Sequence, residues 1–448
     1  MAVVSLSPHT AKMRKLFGQA STTMAYDGLK REAERRTRSD HNITMVAKDD
    51  ELYLYHLTLK KQTNFVHSCI GHFVDLEAGS KREQSQLCVA TETHLELYDT
   101  ADGELKLIAK FQNLFATITS MKSLDLPHSG SRAKASNWPT FLAVTSDSGN
   151  LSIVQIIMHA GALRLKTLVN QPLTRTTLRR VSPISYMEID PNGRCIILSS
   201  VEQNKLCFLV DYAQKLRISS PLEIIRPHMV TLDMAVVDVN FNNPCFVTLE
   251  IDNAATQLSV HLIFYVLELG LNHIVKKADY LVNPSANFVL SLPDLSRYNI
   301  TTSLSDNNYD ADYDTLFNPF VVIGFENHIL VKDMNGFFSL KVEIPKRSIT
   351  NSRHKNVTII SGIVQKLKND FFVLLQSNHG DLFKLTVSPD TNDRNRPLVQ
   401  LSYFDTIQNS HQLHIFKNGY LFALSEMNNN FLFQFEKLGV EKNDFSNV

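Results

Sequence analysis

Apolar and β-prone residues fall in short runs along this chain, and polar turns separate the runs at a regular interval. One hairpin pattern recurs: a small or acidic residue, a polar turn, then a strand of alternating apolar positions. It stands at 91–98 (TETHLELY), 146–156 (SDSGNLSIVQI) and 200–210 (SVEQNKLCFLV), and again at 251–262, 325–331, 376–387 and 425–435. The turns fall near 93, 149, 203, 255, 327, 379 and 428. Their spacing is about 50 to 55 residues, with one interval of about 70, a period that marks a solenoid or a propeller. Each unit holds too many strand-length runs for one solenoid coil. Seven units of several strands each predict an all-β fold, a seven-bladed β-propeller. It is not a WD40 ring: the single tryptophan, Trp138, is not followed by the expected pattern, and the units are longer.

The strand patterns support this. Phe383, Leu385 and Val387 are placed to point inward while Lys384 and Thr386 face out, and Phe338, Leu340 and Val342 alternate with Ser339 and Lys341 in the same way. Asn335-Gly336 ahead of the second run is a hairpin signal. Residues 234–238 and 246–251 read as strands separated by the turn-forming Asn242-Asn243-Pro244, and 261–269 as a third run closed by Gly270. No cluster of charge, histidine or cysteine interrupts that stretch, so its residues read as packing.

Residues 1–50 differ from the rest. They hold nine Lys/Arg against six Asp/Glu, and 26–38 (YDGLKREAERRTR) has the composition of a short polar helix with little apolar surface to bury. The segment reads as a polar, partly helical or disordered extension; a nuclear-import signal or an RNA-touching arm are the sharper alternatives. The propeller is expected over 51–438, with 439–448 as a tail or the start of a linker.

Composition narrows the function classes. Lys+Arg and Asp+Glu both number 45, so the basic excess of a sequence-independent nucleic-acid binder is missing. Five scattered cysteines lack the paired spacing of a zinc site and read as buried reduced thiols; Cys195 and Cys207 flank one turn and are expected to lie near each other. The longest apolar stretch, 262–271, is too short to span a bilayer, and no signal-peptide pattern opens the chain, so a soluble intracellular protein is expected.

Candidate chemistry is sparse. Asp310, Asp312 and Asp314 have calcium-loop spacing, but Thr315 stands where that loop needs glycine and Val321 where it needs a bidentate glutamate, so 291–316 reads as a solvated acidic loop. Residues 126–139 read as a second polar surface loop. There is no phosphate-binding glycine loop, nucleophile elbow or HExxH motif. His411 and His414 lie in a strand-like run, point to opposite faces, and read as packing or surface residues. No catalytic, cofactor-binding or metal-ligating residues are assigned. The basic pair Arg179-Arg180 is singled out, either as arginines bracing neighbouring blades or as a partner contact.

Several words of the text resemble one protein family. They are ISSPLE at 218–223, Asn243-Pro244 followed by Phe246, LGLNH at 269–273, Ile344-Pro345 followed by Lys346-Arg347, GDLFK at 380–384, YFDT at 403–406, GYLF at 419–422 and Ser425-Glu426. Arg179-Arg180, Pro183 and the Asp190-Pro191-Asn192-Gly193-Arg194 turn add a further match, and 52–59 resembles the family's first strand. The family comprises the large propeller subunit of splicing factor 3b, the DNA damage-binding ubiquitin-ligase adaptor and the largest cleavage–polyadenylation subunit. The ISSPLE and LGLNH words resemble the splicing branch.

Members carry three propellers and a helical domain, so the resemblance covers the first propeller alone. It implies a nuclear, non-enzymatic scaffold of the U2 small nuclear ribonucleoprotein, acting in pre-mRNA splicing during prespliceosome assembly and branch-site recognition. Its implied partners are a HEAT-repeat subunit and small subunits of splicing factor 3b, with U2 small nuclear RNA and pre-mRNA reached indirectly. No cofactor, membrane or small-molecule substrate is implied. A ubiquitin-ligase adaptor or polyadenylation subunit is the nearest alternative, and a propeller hydrolase the distant one. How the ring closes is left open; a strand within 52–59 is one candidate to complete the seventh blade.

Overall fold

The computed structural model describes residues 2–6, 53–57, 64–74, 85–100, 104–112, 116–126, 139–173, 184–200, 204–212, 215–240, 242–298, 300, 318–346, 356–389, 397–425 and 429–435. Within 1–50 only the first strand is described. β1 (Ala2–Leu6) contains the β-branched pair Val3-Val4 and pairs antiparallel with β2 (Tyr53–Leu57). The helix expected over 26–38 lies outside the described residues.

The remaining strands form seven antiparallel sheets, each a meander in chain order. The first blade holds β3 (His67–Gly71), β4 (Gln86–Ala90), β5 (Leu95–Asp99) and β6 (Lys106–Phe111). The second holds β7 (Ile118–Leu124), β8 (Phe141–Ser146), β9 (Asn150–His159) and β10 (Ala162–Pro172). The third holds β11 (Ile184–Ile189), β12 (Cys195–Ser200), β13 (Asn204–Asp211), β14 (Arg217–Ile218) and β15 (Leu222–Ile225). The fourth consists of β16 (Met229–Val237), β17 (Cys245–Asp252), β18 (Ser259–Glu268) and β19 (His273–Val282). The fifth has β20 (Phe288–Ser291), β21 (Phe320–Gly324), β22 (His328–Asp333) and β23 (Ser339–Glu343), and the sixth β24 (Ile359–Lys366), β25 (Phe371–Ser377), β26 (Asp381–Pro389) and β27 (Pro397–Thr406). Three strands make up the seventh: β28 (Gln412–Ile415), β29 (Tyr420–Leu424) and β30 (Phe431–Gln434).

The seven sequence hairpins are the second and third strands of the seven blades. Second strands are covered by a neighbouring blade on both faces, so they are apolar at consecutive positions. FFVLLQS in β25 and FVVIG in β21 are buried throughout. Outer strands alternate: β23 runs exposed, half-buried, exposed along Ser339–Glu343. Gly336 has φ +81° in the turn between β22 and β23, as its Asn-Gly signal requires. The ISSPLE word interrupts the outer edge of the third blade. β14 and β15 each pair with β13, and between them Pro221 offers no N–H to a ladder.

Apolar clusters fill the seams between successive blades. Cys69, Leu97, Met121 and Leu142 pack the first against the second; Leu124, Phe141, Ile196 and Phe208 the second against the third. Cys195, Cys207, Met234 and Phe246 fill the next seam, with Val247, Phe264, Val321 and Phe325 in the one after it. Val322, Val331, Val373 and Phe383, and then Phe372, Leu374, Leu413 and Leu421, continue the series. Leu87 and Val89 meet Phe416, Phe422 and Leu424 where the seventh blade joins the first, so the ring is closed by packing. β2 pairs with β1, and each blade of the ring is built from its own consecutive segment of chain.

All five cysteines are buried and unbonded. Cys195 and Cys207 do lie near each other, in the cluster between the third and fourth blades.

Candidate functional site

The inner strands of the ring carry buried and half-buried polar side chains. β7, β11, β16 and β24 are each irregular near their start, with register shifts at Ile118/Ser120, Ile184/Tyr186, Thr231/Asp233 and Ile359/Ser361. Such bulges re-aim side chains. Lys122 of β7 bonds Glu188 of β11 at 2.8 Å. Burial opposes its charge, yet Glu188, with Asp233 adding, holds the Lys122 ammonium above its ordinary value. Asp233 of β16 accepts the backbone N–H groups of Met234 at 2.9 Å and of Val289, in the next blade, at 2.7 Å. Burial raises its carboxyl to about 7 against those donors, and the like charge of Glu188 adds to the rise.

The seam between the last and first blades is polar on its inner side. Ser68 donates its N–H and hydroxyl to Gln412 Oε1, at 2.7 and 2.9 Å, and its Oγ lies 2.7 Å from His414 Nε2. His414 is therefore a ring-closing residue, while His411 precedes β28 and is exposed. Burial pushes His414 and His67 down to about 4; the His411 and Lys122 charges add to the effect at His67. These carboxylates, histidines and the lysine are engaged with neighbouring strands. Among the described residues, no three His, Cys, Asp or Glu side chains are placed to share a metal ion.

Arg179 and Arg180 lie outside the described residues, as do Asp310, Asp312 and Asp314. The turn matched with the arginine pair is described, and it braces blades. Gly193 N–H closes the turn on Asp190 O at 2.7 Å. Arg194 grips Asp190 with Nε at 2.7 Å and a second guanidinium nitrogen at 2.9 Å, and donates to Asn242 O in the fourth blade at 2.7 Å. Asn192 donates to Asn240 O in the same loop. On the other side, a Cβ on Gly193 would stand 2.1 Å from Asp125 O of the second blade, and φ there is +66°. One five-residue turn thus locks three blades.

The stretch around 216–277 holds a feature that its text hid. Lys205 of β13 and Glu250 of β17 are both fully buried and 2.8 Å apart, joining the third and fourth blades. Glu250 also accepts the Thr248 hydroxyl at 2.6 Å and the Tyr265 hydroxyl at 3.0 Å. Burial lowers the Lys205 pKa, although Glu250 works to raise it. The stretch is therefore packing, as expected, that also supplies Glu250 to an internal ion pair with Lys205 of the preceding blade. Lone charged residues in strand text give no signal for such a pair, because the two positions meet only through blade-to-blade docking.

Comparison with known proteins agrees with this architecture. A family model described as the RSE1/DDB1/CPSF1 first beta-propeller matches residues 62–448. Over 411 residues the chain is 44% identical to pre-mRNA-splicing factor RSE1 of Eremothecium gossypii, covering 88% of this chain and 30% of that protein. It is 36% identical over 415 residues to RSE1 of Kluyveromyces lactis, covering 88% and 31% respectively. To splicing factor 3B subunit 3 of Drosophila melanogaster it is 29% identical over 401 residues, covering 87% and 30%. The chain thus spans about 30% of the length of the curated relatives it matches.

Proposed function

The chain belongs to the family of the RSE1/DDB1/CPSF1 first β-propeller, and from that premise we propose that it is a non-enzymatic scaffold of the splicing factor 3b type, acting in pre-mRNA splicing in the nucleus. One observation carries the reading. Similarity to proteins named as splicing factors runs over almost the whole ring and across fungal and animal relatives. The physical design is compatible with that role: apolar clusters pack the inter-blade seams and Lys122 and Glu188 on the inner wall bond each other, so the ring is a platform whose loops and outer edges meet partners. In this reading the partners are a HEAT-repeat subunit and the small subunits of splicing factor 3b, and U2 small nuclear RNA is reached through them. Zero net charge over the 448 residues favours protein contacts over a direct grip on RNA. Arg179 and Arg180 are the first candidates for such a contact.

The test is affinity purification of the tagged chain from nuclear extract, with mass spectrometry of what is retained. A HEAT-repeat splicing subunit among the retained proteins supports the reading. Cullin or cleavage–polyadenylation proteins in its place move the chain to another branch of the family.

A further inference from the structure

A cleft of about 300 Å³ opens at the perimeter between the fourth and fifth blades. On one wall stand Tyr280, Leu281 and Val282 of β19; on the other, His328, Leu330 and Lys332 of β22. Its chemistry is lopsided. Lys332 lies over the Tyr280 ring, 4.1 Å from the centroid, and among the described residues no carboxylate is within ion-pair distance of it. No acidic side chain lines the cleft, and His328 is stacked on Phe325 at 4.9 Å. One large apolar side chain beside it is turned to solvent, Phe337, 71% exposed, while the Leu281 side chain alternates with Tyr280 and Val282 and faces away from the cleft. Phe337 belongs to a turn held against this cleft, where the Tyr280 hydroxyl donates to Met334 O at 2.7 Å and a Cβ on Gly336 would meet that hydroxyl at 2.9 Å.

A half-buried ammonium on an aromatic face, beside an exposed phenylalanine and with no carboxylate among the described residues within ion-pair distance, matches one kind of occupant. We propose that this cleft docks an extended acidic segment of a partner protein, with a carboxylate on Lys332 and an apolar side chain against Phe337. Charge complementarity selects the occupant. Phe337 supplies the apolar contact area that a lone surface ion pair lacks. A nucleic-acid strand fits less well, since it needs several cations to neutralise successive phosphates and the cleft presents a single lysine. The inference goes beyond the splicing assignment, because it is read on the purified chain whatever complex the chain joins.

The experiment is fluorescence anisotropy on the purified 448-residue chain. Three labelled probes are compared: a dodecapeptide of alternating glutamate and leucine, its lysine–leucine counterpart, and a twelve-nucleotide polyuridine. Saturable binding of the acidic peptide is expected, weakened about tenfold or more by Lys332→Glu and kept within about twofold by Lys332→Arg. Phe337→Ser, at an exposed position of the turn, is expected to weaken it about threefold without changing the circular dichroism spectrum. Equal or tighter binding of the lysine peptide or of polyuridine, no binding of the acidic peptide, or an unchanged affinity in Lys332→Glu overturns the proposal.

Discussion

Ser68 and Gln412 stand 344 positions apart in the chain and are joined by two hydrogen bonds, one from the Ser68 N–H and one from its hydroxyl. The contact sits on the inner side of the only seam whose two blades are remote in sequence. Gln412→Ala leaves a half-buried N–H without its acceptor, and a loss of about 1–3 kcal/mol in unfolding free energy is expected. Ser402→Ala, on the exposed outer strand of the sixth blade, is expected to change stability by less than about 0.5 kcal/mol. Urea denaturation of both variants checks this. Equal effects would remove the seam from its closing role.

The Lys205–Glu250 pair has a different signature. Lys205→Met strands a buried carboxylate, so a loss of about 3–5 kcal/mol is expected. Adding Glu250→Gln removes that charge while keeping an acceptor for Thr248 and Tyr265, and the double variant should recover most of the loss. A double-mutant cycle in denaturant reads the coupling. Additive losses would mean that the pair is not energetically linked.

Gly193 and Gly161 separate backbone strain from steric conflict. Both have positive φ, +66° and +76°, but a Cβ at Gly161 meets nothing within 4 Å, while one at Gly193 meets Asp125 O at 2.1 Å. Gly161→Ala should cost about 1 kcal/mol from conformation alone. Gly193→Ala should cost about 3 kcal/mol or more, since the second blade must also give way. Thermal melts of the two variants decide it, and similar shifts would show that the Asp190–Arg194 brace is dispensable.

Acid should loosen the ring before it protonates ordinary carboxylates. His67 and His414 titrate near 4 in the fold against 6.5 when free, so the unfolded chain takes up protons that the native one refuses. Their contribution is complete above about 6.5 and is lost as pH falls toward 4, at most about 3 kcal/mol each. Asp233, raised to about 7 from 3.8, works the other way. Its contribution is full below 3.8 and fades as pH rises through 7, offsetting part of the histidine effect. His414→Gln is therefore expected to flatten the fall in melting temperature between pH 6.5 and 4.5. An unchanged slope would show that His414 is not held neutral by burial.

The period of seven hairpins was legible because second strands such as 371–377 open on an unbroken apolar run and the turns that follow are polar. Alternation in 383–387 and 338–342 gave the facing of individual side chains correctly, since the blade is a local meander and its register follows from adjacent text. What joins one blade to the next was not legible. Glu250 reads as an ordinary strand carboxylate until Lys205 is docked on it from a different sheet. His414 was read as a packing or surface residue because its partner, Ser68, lies at the other end of the chain. The DPNGR turn was legible as a turn, and Gly193 as its positive-φ residue, but not as a brace across three blades. The Lys332 cleft escaped for the same reason, since its walls belong to two blades.

The central claim is that this propeller joins a splicing complex through protein contacts. The most direct measurement is recovery of proteins and U2 small nuclear RNA on the tagged chain from nuclear extract, with and without prior micrococcal nuclease. The account predicts that HEAT-repeat and small subunits of splicing factor 3b are retained under both conditions and that the RNA is lost after nuclease. Loss of those subunits with the RNA, or retention of the RNA without them, would contradict it.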